Sequence, residues 1–195
     1  MKPAFLILSL LAFFFLVGCD SCEVVRVSEG KLYFSDDKAT LIPHWNEAGW
    51  THFFFVRHAE KVDNSDDPDL SPNGYSRAER LGRIMANSGL DLVFATDKLR
   101  TQKTAEKVQA MAHTPAIMIY PREDAAETDW LVQQLTIHRG KRIFVVGHSN
   151  TVPRMVGKLV GPSFTVTELD DQDFGAFIVV ASRDLGDAEY LWKSY

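Results

Sequence analysis

The chain of 195 residues is poor in cysteine, with only Cys19 and Cys22, and has no excess of positive charge: 21 Lys and Arg against 26 Asp and Glu give a net charge of −5. So few cysteines cannot staple the chain, so the fold has to stand on buried apolar surface. Without a basic field, nucleic acid is not expected as a partner, because phosphate neutralisation dominates such binding. No internal repeat or low-complexity segment is present. The apolar run from Ala4 to Val17 falls short of the roughly 20 residues that span a bilayer. No two of the six histidines stand at the i, i+4 spacing of a helical metal site. The acidic stretch Val62 to Asp69 lacks the residues of a calcium loop: counting from Asp63, the sixth and twelfth places hold Pro68 and Gly74 instead of Gly and Glu. It reads as a solvated loop.

What is present begins with an export signal. Lys2 supplies a short positive region and Ala4 to Val17 an apolar one, broken only by Ser9. Leu16-Val17-Gly18-Cys19 resembles the lipobox of bacterial lipoproteins. That resemblance implies a signal peptide over 1–18, a lipid on Cys19 and a membrane tether. Asp20 is similar to the signal that keeps such lipoproteins in the inner membrane of Gram-negative bacteria. The expected location is therefore the cell envelope, lipid-anchored and facing the periplasm. An uncleaved N-terminal anchor is the alternative, and it also puts the domain at a membrane. With Cys19 lipidated, no internal disulfide can form.

Residues 19–50 read as a tether and N-terminal extension, in which Glu23 to Ser28 and Lys31 to Ser35 alternate around a turn at Ser28-Glu29-Gly30. From residue 51 to 195 the pattern predicts one α/β domain, a mostly parallel central sheet flanked by helices. His52 to Val56 is a short, continuous, aromatic run expected to be a strand buried on both faces. Further strands are predicted over Asp91 to Ala95, Pro115 to Tyr120 and Arg142 to Val146. Ser71-Pro72 predicts the N-cap and first residue of a helix with Ala78, Leu81, Ile84 and Met85 on its core face, ended by Gly89. Later helices are expected from Lys98 to Ala112, with Leu99, Val108 and Met111 inward, from Ala125 to His138 and from Thr151 to Leu159. Phe177 to Ala181 and Tyr190 to Trp192 should pair as a closing hairpin.

On this outline the reactive residues follow strands. Arg57 and His58 end the first, Arg100 follows the second, Glu123 and Asp124 the third, and His148 the fourth. Ligands of open α/β sheets bind beyond the carboxyl ends of the strands, so these loops aim at one place. Guanidinium forks match the oxygens of a tetrahedral dianion. A histidine with one nitrogen fixed by a hydrogen bond can attack phosphorus with the other. A nearby carboxylic acid can protonate the leaving oxygen. A metal among these residues is not expected, since two arginines would repel it.

Val56-Arg57-His58-Ala59-Glu60 resembles the Arg-His-Gly signature of the histidine phosphatase, or phosphoglycerate mutase-like, superfamily. Leu70-Ser71-Pro72-Asn73-Gly74, Thr96 to Thr101 with Thr104-Ala105, and Val145 to Asn150 match further motifs in the same order, over about residues 51 to 181. The resemblance implies that His58 becomes phosphohistidine and that Arg57, Arg100 and His148 clamp the phosphoryl group, with Asn150 beside them and no metal or other cofactor. It points to Glu123 as general acid, with Asp124 and Glu127 as candidates because the surrounding motif departs from the family's. Ala59 stands where the family has Gly. Ser149 stands where the acid-phosphatase branch has Asp, which disfavours that branch.

The expected activity is a metal-independent phosphohydrolase acting on a phosphorylated small molecule or phosphoprotein. A phosphomutase of the same fold and a tethered, non-catalytic phosphate-binding module are the alternatives. A mature chain of about 177 residues leaves little length for insertions over the pocket, which favours hydrolysis over the mutase.

Overall fold

The structure is a computed structural model and describes residues 22–195. The expected signal peptide, Cys19 and Asp20 lie outside the described residues.

The chain opens with three short antiparallel strands, β1 (Val24–Ser28), β2 (Lys31–Phe34) and β3 (Ala39–Leu41). Glu29 and Gly30 both take positive φ in the β1–β2 turn, as the tight hairpin there requires. The expected hairpin is present, and β3 extends it beyond the sequence reading. Val24, Val27, Leu32, Phe34 and Ile42 pack into the same core as the larger sheet, so this elaboration covers one face of the domain.

The larger sheet contains β4 (Thr51–Arg57), β5 (Leu92–Ala95), β6 (Met118–Ile119), β7 (Arg142–Gly147), β8 (Ala176–Asp184) and β9 (Asp187–Ser194). Their order is β6-β5-β7-β4-β8-β9. The first four are parallel, and β8 and β9 close the sheet as an antiparallel hairpin in which Val180 faces Tyr190 and Ile178 faces Trp192. Between them run α1 (Pro72–Met85), α2 (Leu99–Ala112), α3 (Asp124–Ile137) and α4 (Thr151–Val160).

All seven residues of β4 are buried. Strand alternation sends Phe54 and Val56 toward α1, α2 and the small sheet, and Phe53 and Phe55 toward α3 and α4. Each such phenylalanine contributes about 1.5–3 kcal/mol by leaving water. β4 is thereby fixed at the centre of the sheet, and its carboxyl end carries Arg57 and His58.

Three local expectations need correction. The third strand shortens to Met118–Ile119: it is an edge strand paired only with β5, and Ile119 is exposed. Leu99 and Met111 are only half-buried, while Thr101, Thr104, Ala105 and Val108 form the inward face of α2. Helix α1 ends at Met85, ahead of Gly89, whose φ of 68° turns the chain into β5.

Candidate active site

The sheet order sets the order of the site. From the centre to the edge, the carboxyl ends of β4, β7, β5 and β6 present Arg57 with His58, then His148, then Arg100, then Arg122, around a cavity of about 390 Å³. The amide of His58 donates to the Gly147 carbonyl (2.9 Å), which ties the ends of β4 and β7 together. The two imidazoles meet edge to face, with an interplanar angle of 67° and 5.4 Å between centroids.

His58 is 4 % exposed, and its Nδ1–H donates to the Ala59 carbonyl at 2.8 Å. That bond fixes the tautomer and leaves the Nε2 lone pair free. Burial pushes the His58 pKa down to about 4, with the Arg100, Arg57 and Lys61 charges acting in the same direction and the Ala59 bond opposing. The ring is therefore neutral at ordinary pH, with an available lone pair on Nε2. Ala59 is buried and is not among the residues with positive φ, so its methyl meets no backbone strain; its amide donates to Thr104 Oγ1 at 3.0 Å.

His148 is held from behind. Thr101 Oγ1 lies 2.7 Å from the Lys98 carbonyl, to which it donates, and 2.8 Å from Thr96 Oγ1, which lies 3.0 Å from His148 Nε2. The chain of donors runs from His148 Nε2–H to Thr96 to Thr101 to the backbone. It turns the Nδ1 lone pair toward Arg100, whose Nη2 is 3.5 Å away. Burial, then the charges of His58 and three arginines, push the His148 pKa down to about 3.

Arg57 donates through Nη1 to the carbonyls of Asp170 and Asp171 and lies over the Phe174 ring, 4.3 Å from its centroid. Arg100 is positioned by the acidic loop. Asp67 accepts from the Leu99 amide (2.8 Å), capping α2 in place of Lys98, whose side chain forms no cap, and stands 3.8 Å from Arg100. The loop read as merely solvated thus orders the helix end that carries Arg100.

Asn150, Lys61, Ser149, Glu168 and Asp171 also line the cavity. The three candidate acids do not. Glu123 is exposed and accepts from the Arg122 amide; Asp124 pairs with Lys158 and Arg154; Glu127 is fully buried in a two-pronged pair with Arg154, both contacts 2.7 Å. The carboxylates that reach the wall are Glu168, which accepts from Ser149 Oγ at 3.3 Å, and Asp171, 3.8 Å from Arg57. Sequence reasoning missed these two with Lys61 and Arg122. Only Arg122 had a signal, its place directly after a strand. The remaining histidines are elsewhere: His44 stacks on Trp50, His52 is buried against the Pro43 carbonyl, and His113 and His138 end helices. Among the described residues no three His, Cys, Asp or Glu side chains are grouped to hold a metal ion.

Residues 53–137 match the model of the histidine phosphatase superfamily (branch 1). Among solved structures, the protein histidine phosphatase SixA in complex with tungstate superposes with a TM-score of 0.59 at 18% identity, covering 73% of this chain and 96% of that one. A mycobacterial glucosyl-3-phosphoglycerate phosphatase gives 0.59 at 13% identity, covering 75% and 98%. A phosphoserine phosphatase from Entamoeba histolytica gives 0.55 at 13% identity, covering 74% and 97%. At these identities the likeness is one of fold. No curated protein sequence matches the chain.

Proposed function

We propose, on the premise that residues 53–137 belong to the histidine phosphatase superfamily, that the chain is a metal-independent phosphohydrolase working through a phosphohistidine on His58. The observation that carries this reading is the free Nε2 of a buried, neutral His58 at a cavity it shares with Arg57, Arg100 and His148. Nε2 attacks phosphorus, and the bond from phosphorus to the leaving group breaks with its electron pair going to the leaving atom. Arg57 and Arg100, with Asn150 at the rim and with His148 once the phosphoryl charge has protonated its Nδ1, hold the equatorial oxygens as charge spreads over them. Water then attacks phosphorus, the N–P bond breaks, and phosphate leaves with neutral His58 restored.

Because Glu123, Asp124 and Glu127 stand away from the cavity wall, and the carboxylates that reach it are turned to Ser149 (Glu168) and Arg57 (Asp171), the reading favours leaving groups that depart without strong acid assistance, such as the imidazole of a phosphohistidine or a phosphoanhydride oxygen. Phosphorylated small molecules and phosphoproteins are both within that class. Lys61, Asn150, Glu168 and Asp171 are exposed, which lets water reach the intermediate and favours hydrolysis over a mutase. The lipobox-like Leu16 to Cys19 supports an enzyme tethered in the cell envelope. Fractionation of the full chain against Cys19→Ser tests the tether, which fails if both variants sediment alike with membranes.

The decisive experiment follows phosphate release from a panel of phosphorylated compounds by wild type and His58→Ala, with a search for an acid-labile phosphoenzyme. Release and labelling by wild type alone support the mechanism. Equal release by both proteins, or a phosphoenzyme stable to acid, overturns it.

A further inference from the structure

The β6–α3 loop, expected to carry a proton donor, sends a cation to the cavity instead. Arg122 is built into place from two sides. Its Nε lies 2.7 Å from Asp97 on the neighbouring loop after β5, and its Nη2 lies 3.5 Å from the same carboxylate. Its carbonyl accepts from Arg154 Nη2 at 2.9 Å, and Arg154 is itself fixed by the fully buried Glu127. With the Nε edge turned to Asp97, Nη1 has no hydrogen-bond partner among the described residues.

The sheet order says what Arg122 can reach. The phosphoryl clamp occupies the ends of β4, β7 and β5, three adjacent strands, and Arg122 follows β6, one strand beyond Arg100. Strands lie about 4.8 Å apart, so β6 is offset by about 14 Å from β4. A group bound to His58 Nε2 is therefore held by the nearer arginines, and Arg122 faces what is attached to it. The Arg122 charge is nonetheless felt at both Arg100 and His148, whose pKa values it lowers, so it belongs to the same electrostatic site. Two guanidiniums on neighbouring loops of one cavity favour an anion that bridges them.

We propose that Arg122 is a substrate-binding residue for a second anionic group, a carboxylate or further phosphate, carried by the substrate next to the phosphoryl group that is transferred. This rests on the phosphohydrolase reading for its biological meaning, but binding alone tests it. Affinities of phosphonoacetate, which pairs a phosphonate with a carboxylate, and of methylphosphonate, which has the phosphonate alone, are measured by calorimetry on wild type and Arg122→Gln. Wild type should bind phosphonoacetate at least about tenfold tighter, as a charge-assisted hydrogen bond gives. Arg122→Gln should lose most of that preference while methylphosphonate affinity falls no more than about threefold, and Arg122→Lys should retain part of it. No preference in wild type, equal weakening of both ligands, or a preference that survives Arg122→Gln overturns the assignment. A protein that shows the preference yet releases no phosphate from any compound would fail the phosphohydrolase reading and keep the subsite.

Discussion

His148 Nε2 and Thr96 Oγ1 lie 3.0 Å apart, both side chains buried, at the head of a relay that ends on the Lys98 carbonyl. The Thr96 hydroxyl thereby takes up Nε2 and leaves Nδ1 as the nitrogen of His148 on the Arg100 side of the cavity. Thr96→Val keeps the shape and removes the acceptor. It is expected to lower kcat by about 10- to 1000-fold, because His148 loses the acceptor that lets Nδ1 take a second proton and grip the phosphoryl group, and to cost about 1–3 kcal/mol for the buried Nε2–H left without a partner. Nitrogen NMR of the His148 ring together with kcat checks this; an unchanged tautomer and rate would remove the role.

His58→Ala is expected to reduce turnover by at least about 10³-fold, because no other group takes over as nucleophile. Its affinity for inorganic phosphate should persist through Arg57, Arg100 and His148. Calorimetry beside an activity assay separates the two effects.

The same depressed histidine pKa values make stability depend on pH. His58 and His148 bind protons in the unfolded chain below about 6.5 but in the folded chain only near 4 and 3. Between those limits the unfolded state holds more protons, so stability rises with pH there and falls as pH drops below about 6.5. The two sites are coupled, and together their loss is on the order of several kcal/mol by pH 4. Urea titrations from pH 4 to 8 should show a plateau above about 6.5, and bound phosphate should flatten the fall by stabilising the protonated pair.

Gly74 is needed for close packing. A Cβ there would stand 2.1 Å from the Glu60 carbonyl oxygen, the same oxygen that accepts from the Ser71 amide. Gly74→Ala is expected to cost about 3 kcal/mol or more, since backbone must move. Denaturant midpoints measure it, with Gly140→Ala as a contrast: that site has open space around it, and its φ of 78° brings backbone strain alone.

Arg154→Ala strips the two-pronged partner from Glu127, a carboxylate with no exposure whose other cation, Lys158, stands 3.9 Å away, and should destabilise the domain by about 3–5 kcal/mol. Arg154→Ala with Glu127→Leu should recover much of the stability, while leaving the Arg122 carbonyl without its donor. Chemical denaturation of the single and double variants gives the coupling.

Much of this protein was legible along the chain because the relevant physics is local. The continuous apolar run of β4, the Ser71 cap, whose hydroxyl accepts from the Gly74 amide, and the closing hairpin follow from periodicity and capping. Arg57, His58, Arg100 and His148 converge because strand ends in a parallel sheet converge. The sequence by itself therefore determined the fold class and the convergence of these four side chains on one cavity. Tertiary structure alone decided what depends on long-range approach: Asp67 capping a helix 32 residues onward, Thr96 fixing the tautomer of a histidine 52 residues away, and Arg154 drawing Glu127 into the interior. It also decided the β6–α3 loop, where Arg122 and Glu123 are neighbours in sequence and only Glu123 was expected at the site. Asp97 and Arg154 hold Arg122 to the cavity while Glu123 stays in solvent, and partners brought by other loops leave no trace in the local pattern.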